Sequence, residues 1–472
     1  MSRLIVISNR VNPPADPGVG TAGGLAMALA AALRDNDGVW FGWSGQTAET
    51  FTGQMSMKRV GGVTVALIDL EEQDVQEYYN GYANRTLWPL FHYRPDLAAY
   101  ERSFGEGYQR VNERFAQTVL PLIGPDDVIW VQDYHLIPLA AELRRRGVKN
   151  RIGFFLHIPW PARRVIETLP HHRDLVRALL DFDLIGFQTQ DHMEAFVEYI
   201  EGVDGEVDDD GVVRALDKTS RVGAFPIGID AADFAGAVES RKATETLARI
   251  RESMDGRKLI LGVDRLDYSK GLEERFLAYE QFLLDHPDQQ EKVFFLQVAT
   301  PSRDEVEEYQ EIRSKLDMVS GRINGELATI DWVPIRYVNR AYRRDELAGL
   351  YRAAHVGLVT PLRDGMNLVA KEYVAAQDPD DPGVLILSEF AGAAQQMSQA
   401  LIVNPFDREE TADAIRRALI MPRRERIERW TALMESVQTE DVAAWRDDFV
   451  SRLKGPPRGG RPSGQPVLAV AG

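Results

Sequence analysis

Short apolar runs alternate with longer stretches of helical periodicity along most of the chain. Residues 4–8, 63–70, 128–131, 152–157 and 184–187 read as strands, and the alternation is that of a parallel sheet with helices on both faces. After Phe225-Pro226-Ile227-Gly228-Ile229-Asp230 the rhythm restarts with strands over 259–263, 293–299, 356–360 and 384–387. Two Rossmann-like α/β domains are the simplest account. The boundary falls near 228–256, where a polar helical stretch over 239–255 separates the two series. This predicts an N-terminal domain over 1–228 and a C-terminal domain over 229–453, whose last helix can return to the N-terminal domain. Nine of the residues from Gly455 to Gly472 are glycine or proline, so a disordered tail over 454–472 is expected.

Composition narrows the picture. A chain of 472 residues, 44% hydrophobic, can bury large cores in two domains. With no cysteine it can form neither a disulfide framework nor a thiolate metal site, and it has no cysteine nucleophile. The apolar run in the first ten residues is too short for a signal peptide, and no later run approaches a membrane span. A soluble, cytoplasmic protein is expected. The formal charge of −17 opposes generic binding to nucleic acid or acidic membranes. It permits small anionic substrates, because charge beyond about 8 Å is screened at physiological salt.

The most informative stretch is Arg363-Asp364-Gly365-Met366-Asn367-Leu368-Val369-Ala370-Lys371-Glu372. It joins an apolar strand to a helix in which Leu368, Val369, Tyr373 and Val374 repeat at helical spacing. Free N–H groups at a helix start carry about half a positive charge, so Met366, Asn367, Leu368 and Val369 can offer donors to a diphosphate. Gly365 lets the chain approach closely, Asp364 can accept from sugar hydroxyls, and the Glu372 carboxylate suits vicinal ribose hydroxyls. The bland alternative is an ordinary strand-to-helix turn with a surface carboxylate.

Other segments point the same way. Val263-Asp264-Arg265-Leu266-Asp267-Tyr268-Ser269-Lys270-Gly271 puts Arg265 and Lys270 at the carboxyl edge of the second sheet, a cation pair suited to a diphosphate. Alternatively these cations pair on the surface with Asp264 or Asp267. Gly23-Gly24 opens a helix after the first strand, which ends at Arg10, and serves either ligand contact or tight packing. With His157 in Phe154-Phe155-Leu156-His157-Ile158-Pro159, these motifs come from both halves, so a cleft between the domains follows.

Together these motifs resemble those of the trehalose-6-phosphate synthases, retaining glycosyltransferases of the GT-B class, over Ser2 to about Leu453. The most specific parts are 363–376 and 263–271. The resemblance implies transfer of glucose from a nucleoside diphosphate, usually UDP-glucose, to glucose 6-phosphate, with no further cofactor and no metal. On the donor side it implies Gly23, Gly24, His157, Arg265, Lys270, Tyr342, Asp364, Gly365 and the segment Met366, Asn367, Leu368, Val369, Ala370, Lys371 and Glu372. On the acceptor side it implies Arg10, Tyr79, Trp88, Asp133 and Arg303. Asp133, His157, Arg265, Lys270 and Asp364 are then the catalytic set. Two dianions about 6 Å apart at an effective dielectric near 20 repel by ~11 kcal/mol, which explains the number of cations. A homo-oligomer, dimer or tetramer, and a separate downstream trehalose-6-phosphate phosphatase are also implied.

The chain departs from the family at Pro161-Ala162-Arg163-Arg164-Val165-Ile166, where Pro-Ser-x-Glu-x-Phe is usual, losing a hydroxyl and a carboxylate and gaining two cations. Two rival readings are a glucosylglycerol-phosphate synthase using ADP-glucose and glycerol 3-phosphate, and an inactive sugar-phosphate sensor. Arg10, Tyr79, Trp88 and Arg303 favour a hexose phosphate acceptor, and Arg265, Lys270 and Glu372 favour an active diphosphate site. Asp181-Phe182-Asp183 lacks the rest of a phosphatase motif, and 204–211 reads as a solvated acidic loop. Trp40 and Trp43 either line the acceptor pocket or pack the core.

Overall fold

The computed structural model describes residues 3–11, 29, 33, 38–60, 62–303 and 306–455. Gly23, Gly24 and the tail from 456 onward lie outside the described residues. Two sheets organise the chain. The first contains β1 (Leu4–Arg10), β2 (Val39–Ala48), β3 (Ser56–Val60), β4 (Val63–Glu71), β5 (Val128–Gln132), β6 (Ile152–Phe155), β7 (Leu184–Phe187), β8 (Glu206–Val207), β9 (Val212–Ala215) and β10 (Lys218–Ala224). Their order is β3-β4-β2-β1-β5-β6-β7-β10-β9-β8, parallel except at the β3 edge and at the hairpins of β8 and β9. The second contains β11 (Lys258–Arg265), β12 (Val293–Thr300), β13 (Ile335–Val338), β14 (Val356–Val359), β15 (Val384–Ser388) and β16 (Leu401–Val403). It is wholly parallel, in the order β13-β12-β11-β14-β15-β16.

The central strands are buried nearly throughout, as parallel strands covered by helices on both faces must be. What leaves their carboxyl ends is polar. Arg10 ends β1, Asp133 follows β5, His157 follows β6, Arg265 ends β11, Arg303 follows β12 and Asp364 follows β14. Ligands bind in such folds at the carboxyl edge of the strands, and here two such edges meet.

The polar stretch over 239–255 forms α1 (Arg241–Met254) after the last strand of the first sheet. At the other end, α2 (Val442–Lys454) crosses back to the first sheet. Its Phe449 stacks on Trp130 at 4.8 Å, and Trp445 meets the same ring at 4.8 Å. Gly153 and Gly186 make room for it, since a Cβ at either would lie 2.7 Å from the Phe449 ring. Burying a side chain of this size contributes roughly 1.5–3 kcal/mol, which fastens the chain's return to the first sheet. Both crossings run side by side, with Val442 N–H bonded to the Ile229 carbonyl.

Several motifs outside the cleft have structural explanations. Asp183 accepts from Ile152 N–H and Arg144, and Asp181 pairs with Lys218. Asp208, in the acidic loop, accepts from Val212 N–H to close the β8–β9 turn. Trp40 is 2% exposed and bonds Ser8, so it packs the core. Among the described residues, no helix is long and apolar enough to cross a membrane.

Candidate active site

The wall expected to take the donor is built around a helix start. The helix runs over Leu368–Ala376, and Asn367, at φ 79°, caps it by accepting from Ala370 N–H. That cap occupies the Ala370 amide and leaves Leu368 and Val369 as first-turn donors, which have no partner within a helix. Met366 is buried and its carbonyl accepts from Ala393 N–H, anchoring the turn from below. A Cβ on Gly365 would collide with the His157 carbonyl. The glycine is therefore required where the second domain passes directly over the end of β6 in the first.

Lys270 does not pair with Asp264 or Asp267. Its ammonium donates to Asp364 Oδ2 at 2.5 Å, and Asn367 Nδ2 donates to the same oxygen at 3.0 Å. Burial raises the Asp364 pKa, but Lys270, with smaller contributions from His92 and Arg265, leaves the carboxyl below its usual range. The two acids of the β11 motif serve otherwise. Asp264 takes the fully buried Arg275 at 2.5 Å, and Arg275 also donates to the Lys270 carbonyl from beneath. Asp267 accepts from Ser269 N–H and the Tyr309 hydroxyl. Arg265, exposed at the strand end, lies 5.3 Å from the Trp88 ring.

Glu372 is partly buried and accepts from the Tyr351 hydroxyl at 3.3 Å; burial pushes its carboxyl up to about 7. Lys371 corrects a sequence expectation. Its ammonium is turned into the protein, donating to the Ile227 carbonyl at 2.9 Å and to Gln396 Oε1 at 2.6 Å, so its side chain is not a donor contact. Burial lowers its pKa to about 8. Ala370, whose amide is taken by the cap, is likewise unavailable as a backbone donor. Tyr342 sits beyond β13 with its hydroxyl accepting from Arg340 at 2.9 Å.

The wall expected to take the acceptor is aromatic and cationic. A 13-residue π-helix, Val75–Leu87, turns Tyr78 inward onto Asn9 and sets Tyr79 between Trp43, at 5.6 Å, and His135, at 5.9 Å. π-Helical turns are rare and concentrate at functional sites. Arg10 lies 5.7 Å from the Trp43 ring, so Trp43 joins this wall while remaining buried. Arg303, at φ 53°, stacks 3.9 Å from the Trp88 ring, donates to the hydroxyls of Tyr309 and Tyr134, and lies 3.5 Å from Asp267. Burial would raise the Asp267 pKa, but Arg303, Arg265 and Lys270 hold it down at about 2.

Asp133 adopts φ 73°, a strained value for a non-glycine residue. Its Oδ1 accepts from His157 N–H at 3.1 Å, and burial pushes its pKa up to about 6 despite nearby Arg265 and Arg303. His157 is held neutral, its pKa pushed down to about 3 by burial. Its Nε2 meets Gln132 Oε1 at 2.8 Å and its Nδ1 meets Gln188 Nε2 at 3.3 Å. These partners assign the proton to Nε2. Gln188 also accepts from Ile227 N–H. A hydrogen-bonded path therefore runs from Lys371 through Ile227, Gln188 and His157 to Gln132, joining the donor helix to the acceptor wall. Gln188, Arg275 and Tyr309 carry no motif, and their roles, like that of Gln132, emerge only from folded contacts.

The unusual loop after β6 is turned aside in part. Arg163 pairs with Glu167 at 2.8 Å and donates to the Gly202 carbonyl, while Arg164 is exposed.

Two opposed Rossmann-like domains with a cationic cleft between them define a GT-B glycosyltransferase. The match to Glycosyltransferase family 20 extends over residues 16–455, and the chain belongs to that family. It is 51% identical over 457 residues to the trehalose-6-phosphate synthase of Sinorhizobium fredii (strain NBRC 101917 / NGR234), covering 96% of this chain and 98% of the relative. An α,α-trehalose-phosphate synthase (UDP-forming) from Burkholderia xenovorans, solved in complex with glucose-6-phosphate, is 50% identical with a TM-score of 0.93, covering 96% of this chain and 100% of that one. The E. coli protein bound with UDP-2-fluoro glucose is 45% identical with a TM-score of 0.92, covering 97% and 100%.

Proposed function

We propose that this protein transfers glucose from UDP-glucose to the anomeric hydroxyl of glucose 6-phosphate, forming α,α-trehalose 6-phosphate with retention at the transferred carbon. The observation that carries the reading is the Lys270–Asp364 ion pair on one wall, opposed across the domain junction to Trp88 and Tyr134, which hold Arg303. The ligands of the Burkholderia and E. coli proteins support it, since one holds the acceptor and the other a donor analogue.

In this reading Arg265 and Lys270 neutralise the diphosphate, assisted by the Leu368 and Val369 amides and by Gly24. Glu372 accepts from the ribose hydroxyls. An ammonium has three N–H donors, so Lys270 can hold Asp364 while it binds a phosphate oxygen, and Asp364 accepts from the glucose. Arg10 and Arg303 bind the acceptor phosphate, while Tyr79, Trp88 and Asp133 orient its ring. Both ring nitrogens of His157 already have protein partners, so it shapes the sugar pocket as a neutral, fixed group. The acceptor oxygen attacks C1 on the face from which the diphosphate departs. As the C1–O bond to phosphate breaks, the departing phosphate oxygen takes the acceptor's proton. No enzymic nucleophile and no metal are needed.

The reading also includes a cytoplasmic homo-oligomer and a separate phosphatase acting on the product. It is tested by nucleoside-diphosphate release from UDP-, GDP- and ADP-glucose with and without glucose 6-phosphate. UDP-glucose should give the fastest release, dependent on the acceptor; binding of both substrates without release would overturn the reading.

A further inference from the structure

Arg363 stands immediately before Asp364 in the turn after β14, and its side chain joins none of the ion pairs of the cleft. Its guanidinium carbon lies 4.2 Å from the Tyr93 ring and 4.8 Å from the Phe390 ring. Tyr93 belongs to the first domain and Phe390 to the second. Among the described residues the guanidinium donates to no oxygen and pairs with no carboxylate, and its Nε is buried without an acceptor. We propose that Arg363 is a positioning residue, which aligns the two domains by stacking across their junction.

Stability alone does not account for this arrangement. A buried donor left without an acceptor is unfavourable, and burial is the largest influence on the Arg363 pKa, lowering it. Tyr93, Asp191 and Glu389 favour the charged form, but neither carboxylate comes within ion-pair distance. What the guanidinium gains is ring contact. A flat, weakly hydrated cation stacks on aromatic faces, and the attraction grows where water is excluded.

Each ring is fastened to a part of the cleft. Tyr93, at φ 61°, lies two residues beyond the short helix Trp88–Phe91 and follows His92, whose ring is 4.1 Å from that of Trp88. Tyr93 N–H bonds the Leu90 carbonyl, so the ring's place is set by the segment that carries Trp88. Its hydroxyl accepts from Ala162 N–H at 2.9 Å, in the loop where the family's usual serine and carboxylate are absent. That bond uses a backbone amide, so the change of side chains leaves it intact. On the other side, the Phe390 carbonyl accepts from Asp364 N–H at 3.1 Å, and Asp364 pairs with Ala391 as an isolated parallel bridge. Arg363 thus ties the Trp88 segment and the loop after β6 to the backbone that holds Asp364.

The kinetic consequence rests on the proposed function, whereas the domain contact does not. Arg265, Lys270 and the Leu368 and Val369 amides all belong to the second domain, so a nucleoside diphosphate can bind there without the tie. Transfer needs both walls aligned, and the loss should fall on kcat.

The test compares the full chain with Arg363→Gln, Tyr93→Leu and the double variant, together with the conservative variants Arg363→Lys and Tyr93→Phe. Each of the first two should lower kcat for UDP-glucose and glucose 6-phosphate by roughly 3- to 30-fold. UDP affinity should stay within about twofold. The double variant should lose little more than the worse single one, because either change breaks the same contact. Tyr93→Phe, which keeps the ring, should retain most of kcat, and Arg363→Lys, which loses the flat face, should fall in between. Amide hydrogen exchange reads the contact without any activity: in Arg363→Gln, the Ala162 amide in the other domain should exchange several-fold faster. If the unaltered protein transfers no glucose, the proposed function fails and the Ala162 exchange rate alone decides the domain contact. A kcat for Arg363→Gln within about twofold of the unaltered protein, additive losses in the double variant, UDP affinity falling in step with kcat, or an unchanged Ala162 exchange rate would each overturn the proposal.

Discussion

Replacing Arg303 by alanine removes the cation best placed for the acceptor phosphate. Its side chain is 6% exposed, stacked 3.9 Å from Trp88 and bonded to Tyr134 at 3.2 Å, so its orientation is fixed before substrate arrives. A dianion about 4 Å away at an effective dielectric near 20 would gain ~8 kcal/mol from it. Desolvation returns much of this, and truncating one member of such a buried charge pair costs about 2–5 kcal/mol. The apparent KM for glucose 6-phosphate should therefore rise by ~30-fold to several thousand-fold. Asp267, left behind, keeps its bonds from Ser269 N–H and the Tyr309 hydroxyl, so the variant should fold. Nucleoside-diphosphate release, measured with each substrate varied at saturation of the other, separates the effects. The donor KM should stay within about threefold, with some loss of kcat because Arg303 also bridges the domains; Arg303→Lys should fall between wild type and alanine. An acceptor KM within about threefold of wild type, or a donor KM that rises equally, would refute the assignment.

Glu372, with a pKa near 7, should give kcat/KM for UDP-glucose an acidic limb: as pH falls through 7 the carboxylate gains a proton and loses its strength as an acceptor for the ribose. Glu372→Gln should abolish that limb and lower kcat/KM by ~10-fold to 150-fold, as measured in a pH–rate profile. Gly365→Ala should reduce kcat by ~100-fold or more while the circular dichroism spectrum is preserved, because the added Cβ must push aside the His157 carbonyl, and misplacement by about 1 Å is that costly. Lys371→Met leaves the Ile227 carbonyl and Gln396 short of a donor, so thermal unfolding should show a loss of about 1–3 kcal/mol together with a fall in kcat. Normal stability and normal kcat would show that the path to His157 is dispensable.

The strand cores were legible because parallel strands buried on both faces are apolar throughout: 184–187 was read to the residue, and 128–131 ended one residue short. β2 escaped because its Gly42-Trp43-Ser44-Gly45 stretch breaks the apolar run. The π-helix over Val75–Leu87 escaped because its five-residue bonding leaves no 3.6-residue pattern in sequence. Within the site, Asp364, Lys270 and Asn367 were all in motifs, but their mutual bonding required the fold, since Lys270 and Asp364 are 94 positions apart. Lys371 shows the converse: a charged residue inside the most informative motif that serves the domain junction, a role set by burial. Gln188, and the bond Gln132 makes to His157, are invisible in sequence because an amide gains its meaning here only from the histidine it orients.

The account stands most directly on the product formed. UDP-glucose carrying a carbon label and unlabelled glucose 6-phosphate, incubated with the purified protein, should yield one disaccharide monophosphate by mass. Its NMR spectrum should show two α anomeric centres joined through a single oxygen, with the label in the unphosphorylated ring. Release of free labelled glucose, a β-configured linkage, or no transfer despite binding of both substrates would contradict it.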